Sequence, residues 1–556
     1  PITFDLSQYI VNPFADVGGE VTLVGSPQVT GPANASANGL RVTVTPTDSG
    51  ASSDSAEQVV VTYTAADATL DSSRHRTGVI RITVKDTPKA PVNVSAEYVK
   101  SRTARVSWSH SGWRGGQPAG FTVSWSGGSK DCGLKTSCDI DTLANNNTYS
   151  FTVRARVAEG DISNSPESAA SNAIFVDVAP NPPAAPVGAF GDQQAALTWP
   201  VATVPDGGSP VTRYTVEITP ADQQGRTQLE TSATQLTWTG LKNGTSYVFR
   251  LRAHNKQTDV DNRVAPPAGP NSAPVIPAGA PSQQGAPTVA KDKAAAGVTP
   301  RATVTWAAPG NPNGDTSFSY EVRMTGGEVV YTGSANSTVV TMNPSTEDRT
   351  FEVRSTNKSK LWSEWSPVSN KVRAFQPPGA PTGFSLRPTG ASNTVTFTFT
   401  GAPGNGARPE EIRYRWTAGN TSGMVTSGQS VTHAAFVNGS TVSVRLTAIS
   451  TVAGETAEGG SATASVNAYA PPAAPSVSSS GGVNTVTQNW SMPGSSNGRS
   501  ISAVELSPGG TVALSGSRSQ GNGRNQSHCF RARAQNSEGL WGPWSGESCA
   551  STWGNP

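Results

Sequence analysis

Few residues in this sequence have the types and spacing that covalent or metal chemistry needs. The four cysteines fall into two local pairs, Cys132 with Cys138 and Cys529 with Cys549. Thiolates so placed could hold zinc or close disulfides. Zinc demands a third and fourth thiolate or imidazole ligand, and Cys-x5-Cys is not a usual knuckle spacing. His110 and His528 are the nearest imidazoles, and neither completes a His-x-His or Cys-x-x-Cys set. Two disulfides are therefore expected, with no metal and no cofactor, and they imply an oxidising compartment.

Nucleophiles and acids fare no better. Gly494-Ser495-Ser496-Asn497-Gly498 fits Gly-x-Ser-x-Gly, but a nucleophile elbow needs a buried strand before it and a helix after it. Pro493 and Gly498 make it a turn. No glycine-rich loop ends in Gly-Lys-Ser/Thr, no His-Glu-x-x-His occurs, and the five histidines are scattered. Glu410 and Glu411 are adjacent, so on a strand they would face opposite sides as solvated charges. Asp86, ahead of Thr87 and Pro88, lacks the further acidic ligands that calcium requires nearby. The sequence speaks against an enzyme.

The scaffold behind these residues reads all-β. At 556 residues the chain exceeds the roughly 250 to 300 that one core organises, so several domains are expected. Charged residues make up 14% against a usual ~25%, while glycine (57) and proline (42) abound, which favours short strands joined by turns. Lys plus Arg (41) nearly cancels Asp plus Glu (39) and no basic run stands out, which excludes the concentrated positive face that nucleic acid needs. No apolar run approaches the ~20 residues of a membrane span, so no membrane contact is expected in this stretch. Pro1 leads straight into Ile2-Thr3-Phe4-Asp5; the chain is expected to be a piece of a longer one, with any export signal or anchor beyond it.

A repeat runs through most of the chain. Arg105 to Trp108, Ala196 to Trp199, Thr303 to Trp306, Thr396 to Phe399 and Thr487 to Trp490 each alternate apolar and polar residues and end on a large aromatic. That is the period of a half-buried strand, with the aromatic facing a core. A Gly/Asn/Pro turn follows each, and further on comes a second shared block, Tyr149 to Ala155, echoed at Tyr247 to Ala253, Arg349 to Ser355, Val442 to Ala448 and His528 to Ala534. Proline clusters separate the copies, because proline stiffens a linker and cannot join a central sheet. Residues 1–87 alternate in the same way without the aromatic landmark.

On these residues the five copies from 88 onward resemble fibronectin type III domains, whose core Trp lies on the second strand and whose Tyr lies on the sixth. Tyr149 and Tyr247 match the latter; Arg349, Val442 and His528 replace it in the last three copies. The expected architecture is an elongated tandem array of immunoglobulin-like and fibronectin type III β-sandwiches. Its modules are 1–87 (immunoglobulin-like), then 88–181, 182–277, 278–376, 377–470 and 471–556 (fibronectin type III).

The most specific local signal is Trp362-Ser363-Glu364-Trp365-Ser366 in the fourth module, with Trp541-Gly542-Pro543-Trp544-Ser545 in the sixth. Both stand where the last strand should begin, and both resemble the WSxWS box of cytokine-receptor fibronectin modules. In a polyproline-like segment with three residues per turn, Trp362 and Trp365 share one face. Alternation turns Phe351 and Val353 inward and Arg354 outward, and likewise Phe530 and Ala532 inward with Arg531 and Arg533 outward. Guanidinium groups could stack on the indoles, each contact worth about 0.5 to 1 kcal/mol when exposed. The resemblance implies a stack that stabilises its own module; the same seven side chains, Arg354, Trp362, Trp365, Arg531, Arg533, Trp541 and Trp544, are also candidates for a binding face, since Trp and Arg anchor interfaces. A Cys529–Cys549 bridge would staple the last two strands around the second pair, and a Cys132–Cys138 bridge is expected to pin a hairpin.

Two classes of function compete. One is a monomeric, non-catalytic binding or adhesion rod outside the cell. The Ala/Gly/Thr/Ser-rich style is similar to actinobacterial and bifidobacterial fibronectin type III surface proteins, which implies a protein partner from a host, either a cytokine such as tumour necrosis factor or a matrix protein. The other is a passive spacer array of a larger secreted carbohydrate-active enzyme. A vertebrate receptor would set a four-cysteine module directly before the WSxWS module, and the third module has no cysteine.

Overall fold

Period-two alternation becomes antiparallel sheet throughout. The computed structural model describes residues 1–47, 57–260, 263–521 and 523–554. The chain divides into two compact units, Pro1–Ala278 and Gly279–Pro556. Among the described residues, three sandwich cores lie in each unit. The fold is all-β, a tandem series of antiparallel β-sandwiches.

In the first module Ile2–Asp5, Arg41–Pro46 and Ala33–Asn38 form one sheet, and Glu57–Ala66 pairs with Thr22–Leu23 and Gln28–Thr30 on one side and Arg76–Val84 on the other. Val42, Val44, Val59 and Val61 fill the space between them. The second module opposes Val92–Lys100, Thr103–Ser109 and Ser137–Ile140 to Gly128–Asp131, Pro118–Trp125 and Thr152–Val157. The fourth repeats this order with Thr288–Lys291, Arg301–Thr305 and Ser337–Thr341 against Val329–Gly333, Ser319–Met324 and Phe351–Thr356. The repeating aromatics are core plugs, with Trp108, Trp199, Trp306, Phe397, Phe399 and Trp490 all buried. Tyr149 and Tyr247 turn their hydroxyls back to the backbone N–H of Ala144 and Lys242, both at 3.0 Å, the corner that closes this kind of sandwich.

The modules differ at the segment that closes the second sheet. In the fifth it is a long strand, Glu455–Asn467, paired along Thr441–Val452. In the second and fourth no regular strand closes it, and the segment follows a different rule.

Each turn after the aromatic strand holds two successive residues with positive φ, such as Asn405 (49°) with Gly406 (98°) and Asn497 (46°) with Gly498 (93°). Asn and Gly tolerate that region best. Gly494–Gly498 is this turn, so no nucleophile elbow exists there. The preceding linker docks on it: Ala470 donates its N–H to the Asn497 carbonyl at 3.0 Å, and Asn497 Nδ2 donates to the Pro471 carbonyl at 2.7 Å. A Cβ on Gly498 would lie 2.4 Å from the Gly439 nitrogen, so the approach admits no side chain.

Candidate functional site

The closing segment of the fourth module runs Trp362 to Asn370 beside strand Phe351–Thr356. Serines at every third position, Ser363, Ser366 and Ser369, give their backbone N–H groups to the carbonyls of Ser355, Val353 and Phe351 at 2.8, 2.8 and 2.9 Å. Their hydroxyls accept from the N–H groups of the same three residues at 3.0, 3.0 and 2.9 Å. Each hydroxyl then donates to the carbonyl of the next residue, at 2.8 to 3.0 Å. A three-residue repeat thus satisfies a strand edge that a β-strand would satisfy with period two, and it leaves every third side chain pointing out.

Those outward side chains are Trp362 and Trp365. Arg354 lies between them, its guanidinium carbon 4.7 Å from the Trp362 ring centre and 4.5 Å from that of Trp365. Arg323, from the neighbouring strand, covers the Trp365 ring at 4.1 Å. The order is therefore indole, guanidinium, indole, guanidinium. Glu321 holds Arg354 at 2.7 Å and Glu352 holds Arg323 at 2.9 Å, so two carboxylates balance two cations on this face. Both indoles are half-buried. Their planes are used within the module, while their edges reach the surface.

The sixth module repeats the ladder with fewer parts. Arg533 lies 4.6 Å from the Trp541 ring and 4.5 Å from Trp544, and Arg531 covers Trp544 at 4.9 Å. Glu505 anchors Arg533 through Nε at 2.6 Å. Ser545 plays the serine role, accepting from the Ala532 N–H at 2.9 Å. Gly542 stands where the fourth module has Ser363, and a Cβ there would lie 2.1 Å from the Pro472 carbonyl. The linker passes too close for serine, which explains the departure from the WSxWS pattern.

Both cysteine pairs are disulfides. Cys529 and Cys549 face each other across adjacent strands, with Cα atoms 4.0 Å apart. Beside them Glu547 could suggest a metal cluster, but bridged sulfurs offer no thiolate. Cys132 and Cys138 are also bridged, with Cα atoms 5.8 Å apart. They do not pin a hairpin: Cys132 follows Gly128–Asp131 and Cys138 lies on Ser137–Ile140, strands of opposite sheets. The bridge ties the two sheets together at one edge of the sandwich.

Other sequence candidates fall apart as chemistry. Asp86 pairs with the Arg114 guanidinium and gives its N–H to the Arg114 carbonyl at 3.0 Å, so a cation already faces its carboxylate. His110 bonds the Lys89 carbonyl at 2.9 Å. Glu411 is not a strand residue: Pro409–Glu411 is a 3₁₀ turn, and its carboxylate meets Arg373 at 2.6 Å. Arg373 also holds Asp348 at 3.0 Å and is almost wholly buried, a three-charge junction that sequence reading missed.

A second missed group is Asp222 in the third module. Burial pushes its carboxyl pKa up, but donors outweigh burial and hold it below the usual carboxylate value. They are the Trp238 indole N–H at 3.0 Å, the Arg226 backbone at 2.8 Å with its guanidinium at 2.5 Å, and the Gln224 N–H at 2.9 Å. The spacing of Asp222 and Arg226 was the available signal, but on a loop it resembles any surface pair.

The family description of the fibronectin type III domain matches residues 89–171 and 182–265. Tandem fibronectin type III domains are therefore present, in the second and third modules. A crystal structure of chicken CNTN1 FN1–FN3 domains is similar at 15% identity over 52% of this chain and 99% of that one, with a TM-score of 0.23. The sheets and registers above carry the fold assignment. Domains of this family are non-catalytic structural and adhesion modules, and residues 89–171 and 182–265 are accordingly non-catalytic. No described helix is long and apolar enough to cross a membrane.

Proposed function

We propose that this chain is an extracellular binding and adhesion protein of a bacterial surface, with the six modules bounded as the repeat indicates and the fourth to sixth belonging to the same family as the second and third. The observation that carries the reading is the pair of Arg–Trp ladders on outer sheet faces, Trp362 with Trp365 and Trp541 with Trp544. Indole and guanidinium are the side chains most favoured as anchors of protein interfaces, and here they are preorganised by stacking and by Glu321, Glu352 and Glu505, so that little ordering entropy is left to lose on binding. Two disulfides support a location outside the cytosol.

The partner class is a host protein, either a cytokine such as tumour necrosis factor or a matrix protein, as the resemblance to bacterial fibronectin type III surface proteins implies. Titration of the chain with tumour necrosis factor tests this. Saturable binding tighter than about 1 mM, weakened in Trp362→Ala and Trp541→Ala variants whose circular dichroism is unchanged, is the expected result. Flat titrations with that cytokine and with matrix proteins would remove the reading and leave a spacer array.

A further inference from the structure

The first module carries a groove of about 380 Å³ beside the start of strand Arg76–Val84. That strand pairs with Glu57–Ala66 along one edge, and no described strand pairs with the other. Among the described residues this nine-residue strand keeps one edge open, and such an edge presents N–H and C=O groups to any extended chain that can lie beside it.

Tyr63 crosses toward this edge. It stands opposite Gly78, and a Cβ on Gly78 would lie 2.2 Å from its ring. The ring is buried, yet it lines the groove and its hydroxyl has no hydrogen-bond partner among the described residues. Above it stand Tyr9 and Val11, which are 75% and 90% exposed, an apolar rim of the kind that marks contact sites.

Three arginines and two aspartates lie along the groove and strand, and Asp71, which caps Ser72–Arg74, sits in the field of Arg74 and His75. Arg74 is committed, paired with Asp67 at 2.6 Å and stacked on Phe14 at 4.9 Å. Arg76 lines the same groove and donates only to the His75 carbonyl at 2.9 Å. Arg81, further along the strand, is exposed and has no acidic partner among the described residues. One net positive charge remains; Arg76 shares the inner face with Gly78 and Ile80 while Arg81 turns to the outer face, so a strand laid along the edge meets one arginine on each face.

We propose that this edge docks an extended acidic segment of a partner protein. Its backbone adds beside Arg76–Val84, one apolar side chain enters the groove against Tyr9 and Tyr63, and its carboxylates meet Arg76 and Arg81. The site lies apart from the Arg–Trp ladders, so it stands or falls separately from them. The test is fluorescence anisotropy of the full chain with a labelled decapeptide of glutamates around a central valine–tyrosine pair, compared with its lysine counterpart. The acidic peptide should saturate below about 1 mM and weaken as salt rises, and Arg76→Gln should loosen it about fivefold with an unchanged melting curve. Tyr63→Phe, which keeps the ring, should loosen it by a smaller factor. No saturation with the acidic peptide, equal binding of the lysine peptide, or unchanged affinity in Arg76→Gln would each overturn the proposal.

Discussion

The second and fourth modules close their sheets with the same spine and face solvent with different chemistry. Ser165, Ser168 and Ser171 do for Ala155, Val153 and Phe151 what Ser363, Ser366 and Ser369 do for Ser355, Val353 and Phe351, with hydroxyl contacts of 2.8 to 3.0 Å in both. Where the fourth module places Trp365 against Arg354, the second places Glu167 against Arg154 at 3.3 Å. Both members of that ion pair are more than a third exposed, so its contribution falls in the range of 0 to 1 kcal/mol and fades with salt. The indole ladder adds apolar burial to the attraction and fixes two guanidinium planes. The serine spine is thus the structural constant, and the outward residue decides whether the face is a screened surface pair or a preorganised aromatic one.

The third module extends the contrast and holds the largest expected effect. It keeps only Ser272 of the serine spine, with Gly269 at the middle position, and holds a buried carboxylate, Asp222, against Trp238 and Arg226. Asp222→Ala should cost about 3 kcal/mol in chemical denaturation of that module, because Trp238 and Arg226 lose a buried acceptor. The pH sign follows from the lowered pKa. Below the usual carboxylate range the unfolded chain takes up the proton first, so the contribution is complete above about pH 4 and disappears as pH falls through the folded value. A melting profile from pH 7 to 3 should show this loss in the native chain and not in Asp222→Ala.

Next in size is Trp365→Ala, expected to cost the fourth module about 2 kcal/mol, since it removes two guanidinium contacts and half-buried apolar area. Trp362→Ala removes one such contact and should cost about 1 kcal/mol. Ser366→Ala and Ser168→Ala leave the Val353 and Val153 N–H groups unsatisfied, and each should cost about 1 to 2 kcal/mol; equality between the two modules is the sharper expectation. Smallest is Glu167→Trp, which writes the ladder residue into the second module opposite Arg154. It should raise stability by about 0.5 kcal/mol and remove the salt dependence of that contact.

Much of this was legible in the sequence. Alternation and the recurring aromatic gave the sandwiches, because a period-two pattern can bury one face only as a strand. Trp and Arg positions gave the stacks, because a three-residue repeat aligns Trp362 with Trp365. The serine spine was hidden, since serine every third residue looks like ordinary loop composition until a strand edge lies beside it. The short Cys132–Cys138 loop suggests a hairpin bridge, yet the chain switches sheets between the two residues. Gly542 departs from the serine of the WSxWS pattern with no reason visible in the sequence; only the path of the linker carbonyl supplies it. Arg373 with Asp348 and Glu411 joins residues far apart in the chain, and no local pattern reports such a meeting.

Amide hydrogen exchange on the full chain, native against Trp365→Ala, tests most directly the claim that each ladder stabilises its own closing segment. Faster exchange at Phe351, Val353 and Ser355, with Phe151, Val153 and Ala155 unchanged, is the predicted outcome. Unchanged protection in the fourth module, or an equal loss in the second, would contradict it.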